Sequence, residues 1–152
     1  MFLLFVVVCT QLHSQEKTDS ILPLRTNEDG KHYFGLNAGL TTGLGLSYIY
    51  MPAKNGFQVS FLPVLDKENQ FYSLGLTYLR HVKDYKRTSF LFFCGNHLIL
   101  NRDIFWNIGM GPGVHFSYFD FDFHFMLGYG VLNIPTNVMT RPIVEFGMFY
   151  QF

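Results

Sequence analysis

The residues with the most chemical potential crowd into the last quarter of the chain. His115 and Ser117 stand two apart, so on a strand they share one face. A Ser beside a His is a nucleophile beside a base, and a carboxyl group such as Glu145 would orient the ring. Acyl transfer is the chemistry such a set would do. A second grouping overlaps the first. Asp120, Asp122 and His124 alternate, and a two-residue turn around Phe119-Asp120 would bring His115 opposite His124. His with carboxylate suits zinc. Both groupings also have a plainer reading, because polar side chains at every second position are what any polar strand face contains. On that reading Asn107, His115, Asp120, Asp122, His124 and Glu145, with Ser117 and Gln151, form a hydrogen-bonded network inside the fold. Buried charges survive only when paired. The network is the expected role; no catalytic residue, metal or cofactor is assigned.

The elements that must hold these residues are strands. From Phe119 to Val131 every odd position is large and apolar. The even positions, Met126 apart, are acidic, His or Gly. That is a period of two with chemically opposite faces. Pro142, Val144, Phe146, Met148, Tyr150 and Phe152 repeat it at the chain's end.

Earlier segments follow suit. Phe34, Leu36, Ala38 and Leu40 share a face, and Thr41-Thr42-Gly43 reads as a three-residue hairpin loop with Gly at the positive-φ position. An odd loop preserves parity, and Leu44, Leu46, Tyr48 and Tyr50 agree. The four-residue turn 52–55 switches it to Phe57, Val59 and Phe61. Tyr72, Leu74, Leu76 and Tyr78 mark a fourth strand, and Trp106 to Phe116 a sixth. The fifth, 88–100, is apolar on both faces, so its facing is open; a bulge near Gly95 would explain it. Cys94 there reads as a small packing residue. The total is eight strands in up-and-down order, with no convincing helix and no second domain.

Composition sharpens the class. Charged residues make up 14% of the 152, against about 25% in an average soluble protein. Aromatics reach 18% and the formal net charge is zero, so no basic stripe for nucleic acid is present. No run of about 20 apolar residues offers a transmembrane helix. Phe2 to Val8 is a short apolar run that reads as a secretory signal over residues 1–14, although no Lys or Arg precedes it. Alternatives there are a lipoprotein Cys9 or a buried N-terminal element. Residues 15–32 read as a polar tail and 33–152 as the barrel.

Two closed forms compete. A soluble lipocalin-like carrier would put the apolar face inside and the other in water. That other face is Gly, Ser and Asn with few charges, too small and Gly-rich for a solvated exterior. It suits the crowded interior of an eight-stranded barrel, which side chains fill. Tyr48, Tyr50, Tyr72, Tyr78, Trp106, Tyr118 and Tyr150 fall toward strand ends, as interfacial girdles require. The expected fold is therefore an all-β, eight-stranded antiparallel up-and-down transmembrane β-barrel. Its outward loops, near Thr41, Asp66, Arg102 and Thr136, are short, which argues against an adhesin or receptor.

From Tyr33 to Phe152 the chain resembles the small outer-membrane β-barrel proteins of Gram-negative bacteria, especially the short barrels of Bacteroidota with runs such as Thr42-Gly43-Leu44-Gly45-Leu46-Ser47-Tyr48. The assembly signal of that class reads polar-x-Gly-x-x-aromatic-x-aromatic. Glu145, Gly147, Tyr150 and Phe152 match it in place. The resemblance implies outer-membrane lipids and the barrel-assembly machinery as partners, and periplasmic termini. It implies a structural or interaction role and no activity. His115-Phe116-Ser117 also resembles the His-x-Ser of lipid A deacylases, but the Asn-Ala-Gly of that family is Tyr118-Phe119-Asp120 here.

Overall fold

The computed structural model describes residues 30–65, 70–85, 87–101 and 103–152. The expected leader and most of the expected polar tail lie outside the described residues. Eight strands follow one another: β1 (Lys31–Gly39), β2 (Gly43–Met51), β3 (Asn55–Leu65), β4 (Gln70–Asp84), β5 (Thr88–Leu100), β6 (Ile104–Tyr118), β7 (Phe121–Ile134) and β8 (Met139–Gln151). Each pairs antiparallel with the next, and β8 pairs with β1 to close the barrel.

The period of two fixes which side chains enter. In β1, Tyr33 and Asn37 are buried while Phe34 and Leu36 are exposed. In β7, Asp122, His124 and Met126 are buried while Phe121, Phe125 and Leu127 are exposed. Tyr118 lies opposite Phe121, so a two-residue turn joins β6 to β7 and sets His115 across from His124.

β5 departs from expectation. Its register runs through Gly95 without a slip against both β4 and β6. The irregularities fall elsewhere, between His81 and Lys83 and between Trp106 and Ile108. The strand is apolar on both faces for a packing reason. Leu91 and Phe93 point inward and are buried, whereas Phe90 points out and is 46% exposed. The inward pair joins Ile49, Leu79, Met126 and Phe149 in an apolar layer across the lumen. This layer fills the half of the barrel nearer the first residue of β1.

The first connection is the other departure. Thr41 and Thr42 do not face outward; both are fully buried. The turn at 40–42 folds into the lumen. Gly43 follows it at φ 95°, a left-handed value that favours Gly. Space for the turn comes from the facing walls. A Cβ on Gly75 would stand 2.2 Å from the Thr42 carbonyl oxygen, and one on Gly95 2.5 Å from that of Thr41. The turn closes the lumen a second time, above the apolar layer.

The facing assigned to β5 is open to measurement. Phe93→Ala removes a ring from the filled lumen and is expected to cost about 3–5 kcal/mol. Phe90→Ala should cost clearly less. Denaturant unfolding of the two variants in detergent micelles reads the order, and the reverse order would put Phe90 inside.

Candidate functional site

Two polar assemblies occupy the lumen. The upper one is built around Glu145, which β8 places at mid-strand pointing inward and fully buried. Its carboxyl oxygens accept four hydrogen bonds from the tucked turn. The Thr41 N–H and hydroxyl donate to Oε1 at 3.0 and 2.8 Å. The Thr42 N–H and hydroxyl donate to Oε2 at 3.2 and 2.5 Å. Asn37 Nδ2 donates to Thr42 Oγ1 and to the Gly43 carbonyl. The Leu40 carbonyl accepts from His97 Nδ1 and Asn107 Nδ2, both at 2.9 Å. Since that carbonyl only accepts, Nδ1 carries the His97 proton and Nε2 is left to accept from the Ser73 hydroxyl at 2.7 Å. Asn107 Oδ1 accepts from the Asn133 N–H, tying the end of β7 to the same assembly.

The lower assembly sits near the end that carries the β6–β7 turn. His115 Nε2 meets Asp122 Oδ1 at 2.7 Å. His115 Nδ1 lies 3.4 Å from His81 Nε2, and His81 Nδ1 lies 3.3 Å from Asp84. His124 packs its ring 4.6 Å from that of His115 and 4.9 Å from Phe149, centroid to centroid. His124 is buried, and neither of its ring nitrogens has a hydrogen-bond partner.

This geometry decides what chemistry the candidates can do. Ser117 Oγ is 3.4 Å from His115 Nε2, the nitrogen already bonded to Asp122. A nucleophile and an orienting acid need opposite ring nitrogens, because the base must take a proton on one while the other is held. Here both meet the same one, and the far nitrogen faces His81. Glu145 is engaged by Thr41 and Thr42 and orients no His. The structure therefore brings His115 and Ser117 together without joining Glu145 to them as a set of three.

The lumen grouping is likewise rearranged. Asp120 lies in the β6–β7 turn, exposed, with its carbonyl accepting from the Gln151 N–H. Gln151 itself is exposed at the mouth. Among the described residues no group of three or more His, Cys, Asp or Glu is arranged to hold a metal ion.

Asn107, His115, Asp122, His124 and Glu145 all lie inside, split between the two assemblies. His81, His97, Asn37 and the two threonines were missed by the sequence reading. His81 shares the inward parity of Ser73, Gly75 and Thr77, which was the available signal for it; His97 had none, because the facing of its strand was open. Of the candidate girdle residues, Tyr50, Tyr118 and Tyr150 lie at strand ends on the side of the chain's last residue, and Tyr72 and Trp106 at the opposite side. Tyr48 and Tyr78 stand further in.

No protein-family model matches the chain, and no curated protein matches its sequence. Solved structures do match in shape. One is the crystal structure of the N-terminal β-barrel domain of Pseudomonas aeruginosa OprF, with TM-score 0.56 and 11% identity over 82% of this chain and 100% of that one. Another is Neisserial surface protein A, with TM-score 0.45 and 13% identity over 81% and 94%. The likeness to the OprF domain shows the fold. It is a closed eight-stranded antiparallel barrel, as that likeness shows.

The Glu145 assembly predicts a specific weakness. Glu145→Ala leaves two buried backbone N–H groups and two hydroxyls without their acceptor. Such losses run at roughly 1–3 kcal/mol for each buried group left unpaired. The variant is expected to lose on the order of 2–4 kcal/mol in guanidinium unfolding, after some re-pairing. Glu145→Gln keeps one acceptor and should fall between it and the parent. A fully stable alanine variant would show that the turn is held by something else.

Proposed function

We propose that this chain is a small outer-membrane β-barrel of a Gram-negative bacterium, with a structural or interaction role in the cell envelope. One observation carries the reading. Every strand turns an apolar side chain outward: Leu36, Leu46, Phe57, Leu76, Phe90, Met110, Leu127 and Val144. They range from 43% exposed for Met110 to 58% for Val144. Outside water, such a belt is favourable; in water it far exceeds what single scattered apolar residues explain. A soluble carrier of lipocalin type needs the reverse, with an apolar hollow inside and polar groups outside. This lumen is filled and its exterior is apolar.

The reading extends to orientation and partners. The match at Glu145, Gly147, Tyr150 and Phe152 supports insertion by the barrel-assembly machinery, with the termini in the periplasm. The first connection then lies on the outer-leaflet side. Lipids of the outer membrane are the surrounding partner. The two closures of the lumen support a role other than a wide porin. The His115 geometry gives no support to lipid hydrolysis.

The test is heat-modifiability. The chain is exported in a Gram-negative host, outer membranes are isolated, and samples are run on an SDS gel with and without boiling. A mobility shift in that fraction is expected, together with no steady conductance steps in planar bilayers. A soluble periplasmic band without a shift would overturn the reading.

A further inference from the structure

The tucked turn leaves a consequence in the barrel wall. β1 pairs with β8 from Tyr33↔Gln151 only as far as Ala38↔Phe146, yet β8 begins at Met139. β2 pairs with β3 from Tyr50↔Phe57 only as far as Leu46↔Phe61, yet β3 runs on to Leu65. At Gly45 a Cβ would still stand 2.5 Å from the Leu62 Cβ of β3; before it the start of β2 turns into the lumen, where a Cβ on Gly43 would meet the Gly75 Cα at 2.8 Å. Above the turn the wall is therefore two strands short among the described residues, between Val144–Met139 of β8 and Pro63–Leu65 of β3.

The edges of this gap exclude one class of occupant. Pro142 lies opposite Tyr129 on β7, and Pro63 opposite Tyr72 on β4. Proline has no N–H to give those partners, so each proline turns its backbone polar side toward the gap. The ladder agrees on β8: the Gln151 N–H bonds toward β7 and the Phe152 N–H toward β1, which puts even-numbered residues on the β1 side. A strand added to either edge would meet a proline where it needs a donor. The gap is not shaped for a further strand.

Its chemistry matches hydrocarbon instead. Val144 and Tyr129, beside the gap, are 58% and 57% exposed on the outer face, so the apolar belt reaches it. Leu62 at the rim of the gap and Val64 within it have the inward parity of Gln58 and Ser60, which are fully buried, but Leu62 is only half-buried and Val64 is 44% exposed. Arg141 shares the inward parity of Ile143 and Glu145 and is exposed. The floor is the turn itself, with Leu40 40% exposed.

We propose that this gap is a lateral lipid site: one hydrocarbon chain of an anionic outer-leaflet lipid lies over the turn, against Leu62 and Val64, with its anionic headgroup on Arg141. The site rests on the outer-membrane reading above. Inward-facing residues of a closed eight-stranded barrel are otherwise out of reach of lipid, which gives the test its contrast.

The barrel is refolded into phosphatidylcholine vesicles containing phosphatidylglycerol with a photoactivatable acyl chain. A heat-dependent gel shift confirms folding before illumination, and labelled positions are mapped by peptide mass spectrometry. Label is expected on Leu62 or Val64 as well as on outward-facing residues. Val64→Trp should reduce the inward label several-fold and leave the outward label unchanged. Arg141→Gln should abolish any preference over a photoactivatable phosphatidylcholine. A folded barrel labelled only on outward residues overturns the lipid site and leaves the membrane reading standing, as does protection of the gap by a second copy. Failure to shift in vesicles overturns the membrane reading and the site with it.

Discussion

A carboxyl group in the middle of an eight-stranded barrel has to find hydrogen-bond donors that do not come from water. Glu145 finds them in backbone and hydroxyl groups of one turn, Thr41-Thr42. Much else depends on this. The turn enters the lumen only because β1 and β2 stop short, and it fits only because small residues face it from β4, β5 and β6. Its own carbonyl at Leu40 then needs donors, which His97 and Asn107 supply. A buried polar network is stabilising when each member is satisfied and costly when it is not. Here one acid on the last strand organises groups on strands that are far away in sequence.

This revises the meaning of the Gly-rich inner face. Crowding of eight strands is a general reason for small residues. Gly75 and Gly95 have a local one, since a side chain there would strike the turn's backbone, which cannot move without releasing Glu145. The lower half of the lumen, with no turn to admit, is filled by Phe93, Phe149, Met126 and Leu79. Small and large inward residues thus divide by height.

The barrel was legible in the sequence because alternation between an apolar outer face and a small or polar lumen face is a local signal, repeated on every strand but β5. Strand count, parity through the first two connections and the two-residue β6–β7 turn all follow from it. β5 resisted because its inward face carries Leu91 and Phe93, so both faces are apolar and the contrast vanishes. The inward turn was illegible for a different reason. Thr-Thr-Gly is good hairpin chemistry whichever way the hairpin leans, and only Glu145, over a hundred residues later, decides the direction. His115 kept its expected place opposite His124, yet its partner acid is Asp122 and its neighbour base is His81. Which of several inward polar residues meet depends on stagger between strands, and parity alone does not carry that.

Two closures at different heights also say where such a molecule can meet anything else. A single constriction can be displaced to open a path, but the turn and the apolar layer are held by unrelated forces, one by hydrogen bonds and one by close packing. No single change releases both. Solute passage along the axis is therefore the least economical use of this barrel. The surfaces left for recognition are the apolar belt, the rims, and the place where the wall is two strands short. That last place exists for the same reason that the lumen is shut: the residues that would have completed the wall are inside, bonded to Glu145.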